Sequence, residues 1–240
     1  MRERVEILKV PIDAVTVDEA MEELIGFINQ DDFMKVYTPN PEIVMLAQAD
    51  KKLFNILKEG NLVVPDGIGL ILASKLKGLG LKERVTGVDL TDRLLKHCST
   101  NNKSIYILGG KPNVPEKAAE NISKKYKGIK IAGVCNGYFE SNENERIIHE
   151  INSSGTDVLF VCLGSPKQEH WIDDNKDKLK CKLAIGVGGS VDIYAGTAKR
   201  APIVFQRLGL EWFYRLIKEP KRYKRMLLLP KFLVKFVLKG

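Results

Sequence analysis

Short apolar runs alternate with amphipathic stretches through most of this 240-residue chain. The rhythm is clearest from residue 104 onward. Residues 105–108, 129–135, 157–163 and 183–187 each read as a buried strand. Between them, apolar positions recur with a helical period over 114–126, over 143–153 and from 168 to about 179. Upstream, residues 5–12 predict a first strand, and Thr16-Val-Asp-Glu19 is a capping box opening a helix whose Met21, Leu24, Ile25 and Ile28 face inward. Residues 33–37 predict the next strand. Asn40 then caps a helix with Pro41 at its first position, expected to run to about Glu59. Leu62-Val63-Val64 closes another strand, a helix runs from the Gly67/Gly69 turn to about Lys77, and a further helix spans about 90–98. Alternation of this kind implies right-handed βαβ units. The fold expected is α/β, a Rossmann-like and mostly parallel sheet with helices on both faces.

Beyond residue 198 the rhythm breaks. Pro220 and Pro230 interrupt helical patterns, and arginines recur among aromatic residues. Lys231, Lys235 and Lys239 fall on one stripe of a helix whose remaining face is Phe232, Leu233, Val234, Phe236, Val237 and Leu238. That pattern predicts an amphipathic C-terminal appendage, so the chain divides into an α/β body over 1–198 and an appendage over 199–240.

Charge sharpens the division. The net charge is +8, yet residues 199–240 hold 12 Lys/Arg against two acids, whereas the first 198 residues hold 26 against 28. A nearly neutral body thus carries a strongly basic tail, which calls for an anionic partner: a membrane surface, nucleic acid or phosphates. Seven basic residues between Lys221 and Lys239 would contribute at most roughly 7 kcal/mol near anionic lipid at low salt. A C-terminal helix docked on the body or in a dimer is the alternative. Cys98, Cys135, Cys162 and Cys181 lack metal-ligand spacing and read as core residues of a reducing compartment. The N-terminus has no apolar h-region and no run reaches transmembrane length, so the expected location is cytoplasmic.

The candidate chemistry gathers at strand ends. Asp66 follows the apolar run 62–64, where open α/β sheets place their ligand crevice. Walled by apolar groups it suits a general base; capping the next helix is the plainer reading. Gly67/Gly69, Gly109/Gly110, Gly164 and Gly188/Gly189 stand where loops meet helices, the arrangement that binds phosphate or diphosphate. Neither a full G-x-G-x-x-G nor a P-loop is present, which disfavours NAD enzymes and P-loop NTPases. Asp192 is placed to accept from ribose hydroxyls or to cap a helix, and Gln168 and Glu169 suit hydroxyl recognition. Asn136 precedes Gly137 at another strand end. No D-x-D triplet holds a metal, so arginine is the expected counter-charge for a diphosphate, with Arg84, Arg215, Arg222 and Arg225 as candidates.

Six ordered motifs, Thr38-Pro-Asn-Pro-Glu42, Pro65-Asp-Gly-Ile-Gly69, Arg84-Val-Thr-Gly-Val-Asp89, Gly164-Ser-Pro-Lys-Gln-Glu169, Gly186-Val-Gly-Gly-Ser-Val-Asp192 and Arg200-Ala-Pro, together resemble the WecG/TagA/CpsF glycosyltransferases over about residues 5–225. The pattern looks nearest the TagA branch of wall teichoic acid assembly. The resemblance implies inverting transfer of N-acetylmannosamine from UDP-ManNAc to the C4 hydroxyl of GlcNAc on undecaprenyl diphosphate; sibling branches use other donors such as the uronic acid. It also implies Asp66 as the base, Thr38 and Gln168 in the sugar pocket and Arg84 on the leaving group, with no metal or other cofactor. Asn40, Gly109, Gly110, Asn136, Gly164, Gly188, Gly189 and Asp192 would bind substrate. Arg215, Arg222 and Arg225 would swing over the diphosphate from a tail docked on the anionic inner leaflet. A nucleic-acid-binding α/β protein with a basic arm is the rival from another class, disfavoured by the six large apolar residues among the lysines of 231–239. A non-catalytic nucleotide-sugar sensor is a third reading. A homo-oligomer through the tail or through residues 45–57 stands beside a monomer at the membrane.

Overall fold

The computed structural model describes residues 2–220, 223 and 227–239. Its centre is a six-stranded parallel sheet: β3 (Met34–Tyr37), β4 (Leu62–Val63), β5 (Ser104–Gly109), β6 (Lys130–Cys135), β7 (Val158–Cys162) and β8 (Leu183–Gly186), in the order β4-β3-β8-β7-β5-β6. Alternate residues of each strand enter opposite cores, as the two-residue strand period requires. Tyr37, Val63, Leu108, Leu159, Val161 and Ala184 lie in one, and Val36, Leu62, Ile107, Phe160 and Ile185 in the other.

The first core is covered by α2 (Pro41–Ala47), α3 (Lys51–Lys58), α4 (Ile68–Lys77), α7 (Asn144–Ser153) and α8 (Lys167–Asp174). The second is covered by α1 (Val17–Ile28), α5 (Gly87–Thr100), α6 (Val114–Lys125) and α9 (Ser190–Ala195). Helices after neighbouring strands therefore leave for opposite faces at four places, between β3 and β8, β8 and β7, β7 and β5, and β5 and β6. A crevice opens at the carboxyl ends of such strands.

Three readings of the sequence are corrected. Residues 5–12 are not one strand but a hairpin, β1 (Arg4–Ile7) and β2 (Val10–Asp13), turning at Leu8 and Lys9 with φ of 50° and 67°. Leucine and lysine seldom adopt that conformation, so no turn residue announced it. Buried Asp13 then ties the hairpin to the sheet edge, accepting from Arg2 and Arg4 at 2.9 Å and from the Val63 amide at 2.7 Å. The helix expected to reach Glu59 breaks into α2 and α3, because the Asp50 side chain accepts from Leu53 N and starts a new helix. The Thr16 capping box and the Asn40 cap form as read. The helix expected over about 90–98 instead begins at Gly87, because Thr86 accepts from Asp89 N and caps it three residues earlier.

The tail folds as α10 (Ile203–Arg207), α11 (Glu211–Lys218) and a last helix, α12 (Leu228–Lys239). Phe232 and Phe236 stack at 6.0 Å between centroids and are fully buried against the first core, so α12 rests on α2 and α4. Gly69 makes the room: a Cβ there would meet Pro41 Cγ at 2.6 Å and Leu229 Cδ1 at 2.8 Å. The opposite face of α12, with Val234, Val237 and Leu238, is exposed. Among the described residues no helix is long and apolar enough to cross a membrane.

Candidate active site

Asp66 lies where two cavities meet at the carboxyl edge of the sheet, and Asn40, Val88 and Arg215 line both cavities with it. The larger one is ringed by strand-end loops: Thr38 after β3, Gly110 after β5, Gly137 and Tyr138 after β6, Gly164 after β7, and Gly188 and Gly189 after β8. The second runs beneath the tail and is walled by Ile68, Trp212 and Leu229 with Arg84 and Glu211. One cavity is thus polar and lined by backbone. The other has an apolar side supplied by the last 40 residues.

The backbone holds Asp66 in place. Its amide donates to Pro39 O at 3.0 Å, and Val85 N donates to Pro65 O at 3.0 Å, lacing the end of β4 to the loops beside it. The carboxylate does not cap α4, whose N-cap is Gly67 at φ 101° with no side-chain bond. It accepts instead from Gly87 N, the first residue of α5, at 3.4 Å. Burial pushes this carboxyl up to about 6, against the pull of Arg215, the Gly87 N–H and Arg84; Glu211 adds to the rise. Such a group is ionised at neutral pH yet basic enough to take a proton there.

The other residues foreseen at the site take different places around it. Thr38 and Gln168 are buried at the floor of the polar cavity. Thr38 Oγ1 donates to Gly186 O at 3.0 Å, and Gln168 Oε1 accepts from Gly188 N at 3.1 Å. Asn40, Gly110, Gly164, Gly188, Gly189 and Asp192 line its walls. Gly109 and Asn136 stand behind the walls: a Cβ on Gly109 would collide with the Cys162 carbonyl, and Asn136 Oδ1 accepts from Tyr138 N at 2.9 Å to shape the next loop. Arg84 reaches the tail, donating to Gln206 O at 3.3 Å and pairing with Glu211 at 3.6 Å. Arg222 and Arg225 lie outside the described residues.

Sequence reasoning missed Glu211, Trp212 and Tyr138. Glu211 was only one of two acids in a basic tail, yet it sits between Arg84 and Arg200, the latter at 3.7 Å, and Arg200 in turn pairs with Asp89 at 2.7 Å. Two of those arginines, Arg84 and Arg200, belong to motifs already singled out, so a carboxylate between them was the available signal. Asp173, within α8, reaches buried Lys35 at 2.8 Å.

Comparison with known proteins agrees with this geometry. Residues 5–240 match the description "Glycosyl transferase WecG/TagA/CpsF family". The chain is 38% identical over 206 residues, 86% of its length and 80% of the relative's, to the N-acetylglucosaminyldiphosphoundecaprenol N-acetyl-beta-D-mannosaminyltransferase of Bacillus subtilis (strain 168). It is 33% identical over 234 residues, 97% of its length and 91% of the relative's, to the protein of the same name in Staphylococcus aureus (strain MRSA252). An Asp-centred double cavity at the carboxyl edge of a parallel sheet, six ordered motifs and a match across nearly the whole chain lead to one conclusion: this chain belongs to the WecG/TagA/CpsF glycosyltransferase family.

Proposed function

We propose that this protein transfers N-acetylmannosamine from UDP-ManNAc to the C4 hydroxyl of GlcNAc-diphospho-undecaprenol, an early step of the wall teichoic acid linkage unit. The observation that carries the reading is the position of Asp66 at the meeting of a polar, glycine-ringed cavity and a second cavity with an apolar wall. The nucleotide sugar occupies the first, its diphosphate toward Arg215 and the backbone N–H groups of the strand-end loops, and Asp192 meets the ribose. The sugar rests on Thr38 and Gln168. The lipid-linked acceptor enters beneath the tail.

Asp66 takes the proton of the acceptor C4 hydroxyl as that oxygen attacks the anomeric carbon from the face opposite UDP. The new C1–O4 bond forms while the C1–O bond to the β-phosphate breaks, and the electron pair leaves with UDP. One in-line displacement inverts the anomeric centre and needs one base. Arg215, which lines both cavities, offsets the charge growing on the leaving diphosphate, and Arg84 adds its positive field from the adjoining cavity.

Residues 199–240 serve as the appendage that meets the inner face of the membrane, where such an acceptor resides. Exposed Val234, Val237 and Leu238 beside Lys231 and Lys235 support that role. The test is UDP release from UDP-ManNAc with a short-chain acceptor, in EDTA, by wild type and Asp66→Asn. Acceptor-dependent turnover that falls at least about 10²-fold in the variant upholds the reading; full activity in the variant removes Asp66 from it. For the tail, Lys231→Glu with Lys235→Glu should abolish salt-sensitive pelleting with anionic liposomes. Unchanged pelleting would place the membrane contact elsewhere.

A further inference from the structure

Behind the floor of the polar cavity sits a second carboxyl that the transfer chemistry leaves unused. Glu169, in the first turn of α8, is 1% exposed. Its Oε1 accepts from Gln168 Nε2 at 2.9 Å, while its Oε2 has no partner. Of the five buried side-chain polar atoms without a partner among the described residues, two more belong to the same region: Ser165 Oγ and Tyr37 OH. Burial raises the Glu169 carboxyl, with Gln168 and the Ser165 hydroxyl pulling it back down, and burial raises the Tyr37 phenol, with Asp173 and Glu169 adding to the rise.

The unpartnered Oε2 is accommodated if Glu169 carries a proton. An ionised Glu169 would be a buried charge without an ion pair among the described residues, drawn on by His170, whose ring already meets Asp50 at 3.0 Å; proteins avoid such an arrangement. As a neutral acid the group sheds that charge, and Oε1 keeps the Gln168 bond. Burial pushes the group in that direction.

The consequence is felt at Gln168. Gly188 N–H can only donate, so the atom it meets at 3.1 Å is the amide oxygen, and Nε2 must point to Glu169. Gly186 leaves space for the amide, since a Cβ there would stand 2.8 Å from Nε2. Both ends of the amide are thereby held, and one N–H and one lone pair remain for the cavity that Gln168 lines. We propose that Glu169 is a positioning residue, kept as the neutral acid, that locks the Gln168 amide in the orientation presented to the donor sugar. This rests on the assignment of the polar cavity to the donor.

A double-mutant cycle tests it. Glu169→Gln keeps volume and acceptor without a charge. Glu169→Met keeps volume but offers nothing to Nε2. The Gln variant should retain kcat/KM for UDP-ManNAc within about threefold, and the Met variant should lose about 10-fold or more while its affinity for UDP alone, by calorimetry, stays unchanged. In a Gln168→Ala background, Glu169→Met should cost no more than about twofold further, because the group it positions is gone.

Three results overturn the proposal: a Gln variant as impaired as the Met variant, a Met variant with wild-type kcat/KM, or a Met penalty undiminished without Gln168. Wild-type turnover in the same assay checks the transferase reading separately. Were it absent, the cycle would be read on UDP-ManNAc binding against UDP binding, with the same outcomes deciding.

Discussion

Replacing Asp66 by asparagine should stabilise the fold while removing activity, and the amount can be worked from the site. Raising a carboxyl from 3.8 to about 6 makes its charged form about 3 kcal/mol costlier in the folded chain than in the unfolded one. The sign follows from proton binding. Between about pH 4 and pH 6 the folded chain holds the Asp66 proton more tightly than the unfolded chain, so stability falls as pH rises through that window. Above it the full penalty is present; below it none is. Asparagine carries no charge at any pH and still offers an oxygen to Gly87 N–H. It forfeits the attraction to Arg215 and Arg84, so about 1–3 kcal/mol of the penalty should be recovered at pH 8 and almost none at pH 4. In a chain of this size each kcal/mol moves Tm by about 2–4 °C. Urea unfolding of both proteins at the two pH values measures the difference directly, and the wild-type kcat/KM should rise along an acid limb centred near 6. An asparagine variant no more stable than wild type at pH 8 would show that the carboxyl is ordinarily solvated, and the argument for a tuned base would fail.

Other perturbations read neighbouring parts of the structure. Glu211→Gln removes a charge that raises Asp66, so the acid limb of the pH–rate profile should move to lower pH; a limb that stays in place would show that Glu211 does not act on the base. Phe232→Ala empties a fully buried position where α12 meets α2 and α4. It should cost about 3–5 kcal/mol in urea unfolding and expose the tail to limited proteolysis before the body. Gly109→Ala forces a Cβ into the Cys162 carbonyl at φ 131°, and should leave little soluble folded protein on expression. Asp13→Ala strands Arg2 and Arg4 beside a buried Val63 amide, with an expected loss of about 3–5 kcal/mol in the same unfolding assay.

Much of this protein is determined locally and is therefore legible in its sequence. Four apolar runs separated by amphipathic stretches leave a chain little choice but parallel strands with crossover helices, since neither element can bury its apolar face alone. Caps such as Thr16 and Asn40 act over three residues and can be read in a window of that width. Asp66, Gln168 and the strand-end glycines were visible for the same reason, because the carboxyl edge of a parallel sheet collects whatever follows each strand; Thr38 was singled out only by the family resemblance. The turn at Leu8 and Lys9 was not, since neither residue favours the left-handed backbone that the hairpin imposes on it. Nor was the role of Glu211, or the burial of Phe232 and Phe236 against α2 and α4, far earlier in the chain. Only tertiary packing brings those groups together. It set one face of α12 on the body and left Val234, Val237 and Leu238 outside, a partition that a helix apolar on most of its circumference cannot specify. The acidity of Asp66 belongs to the tertiary structure as well, because it depends on walls and charges contributed by β4, the loop before α5, and α11 at once.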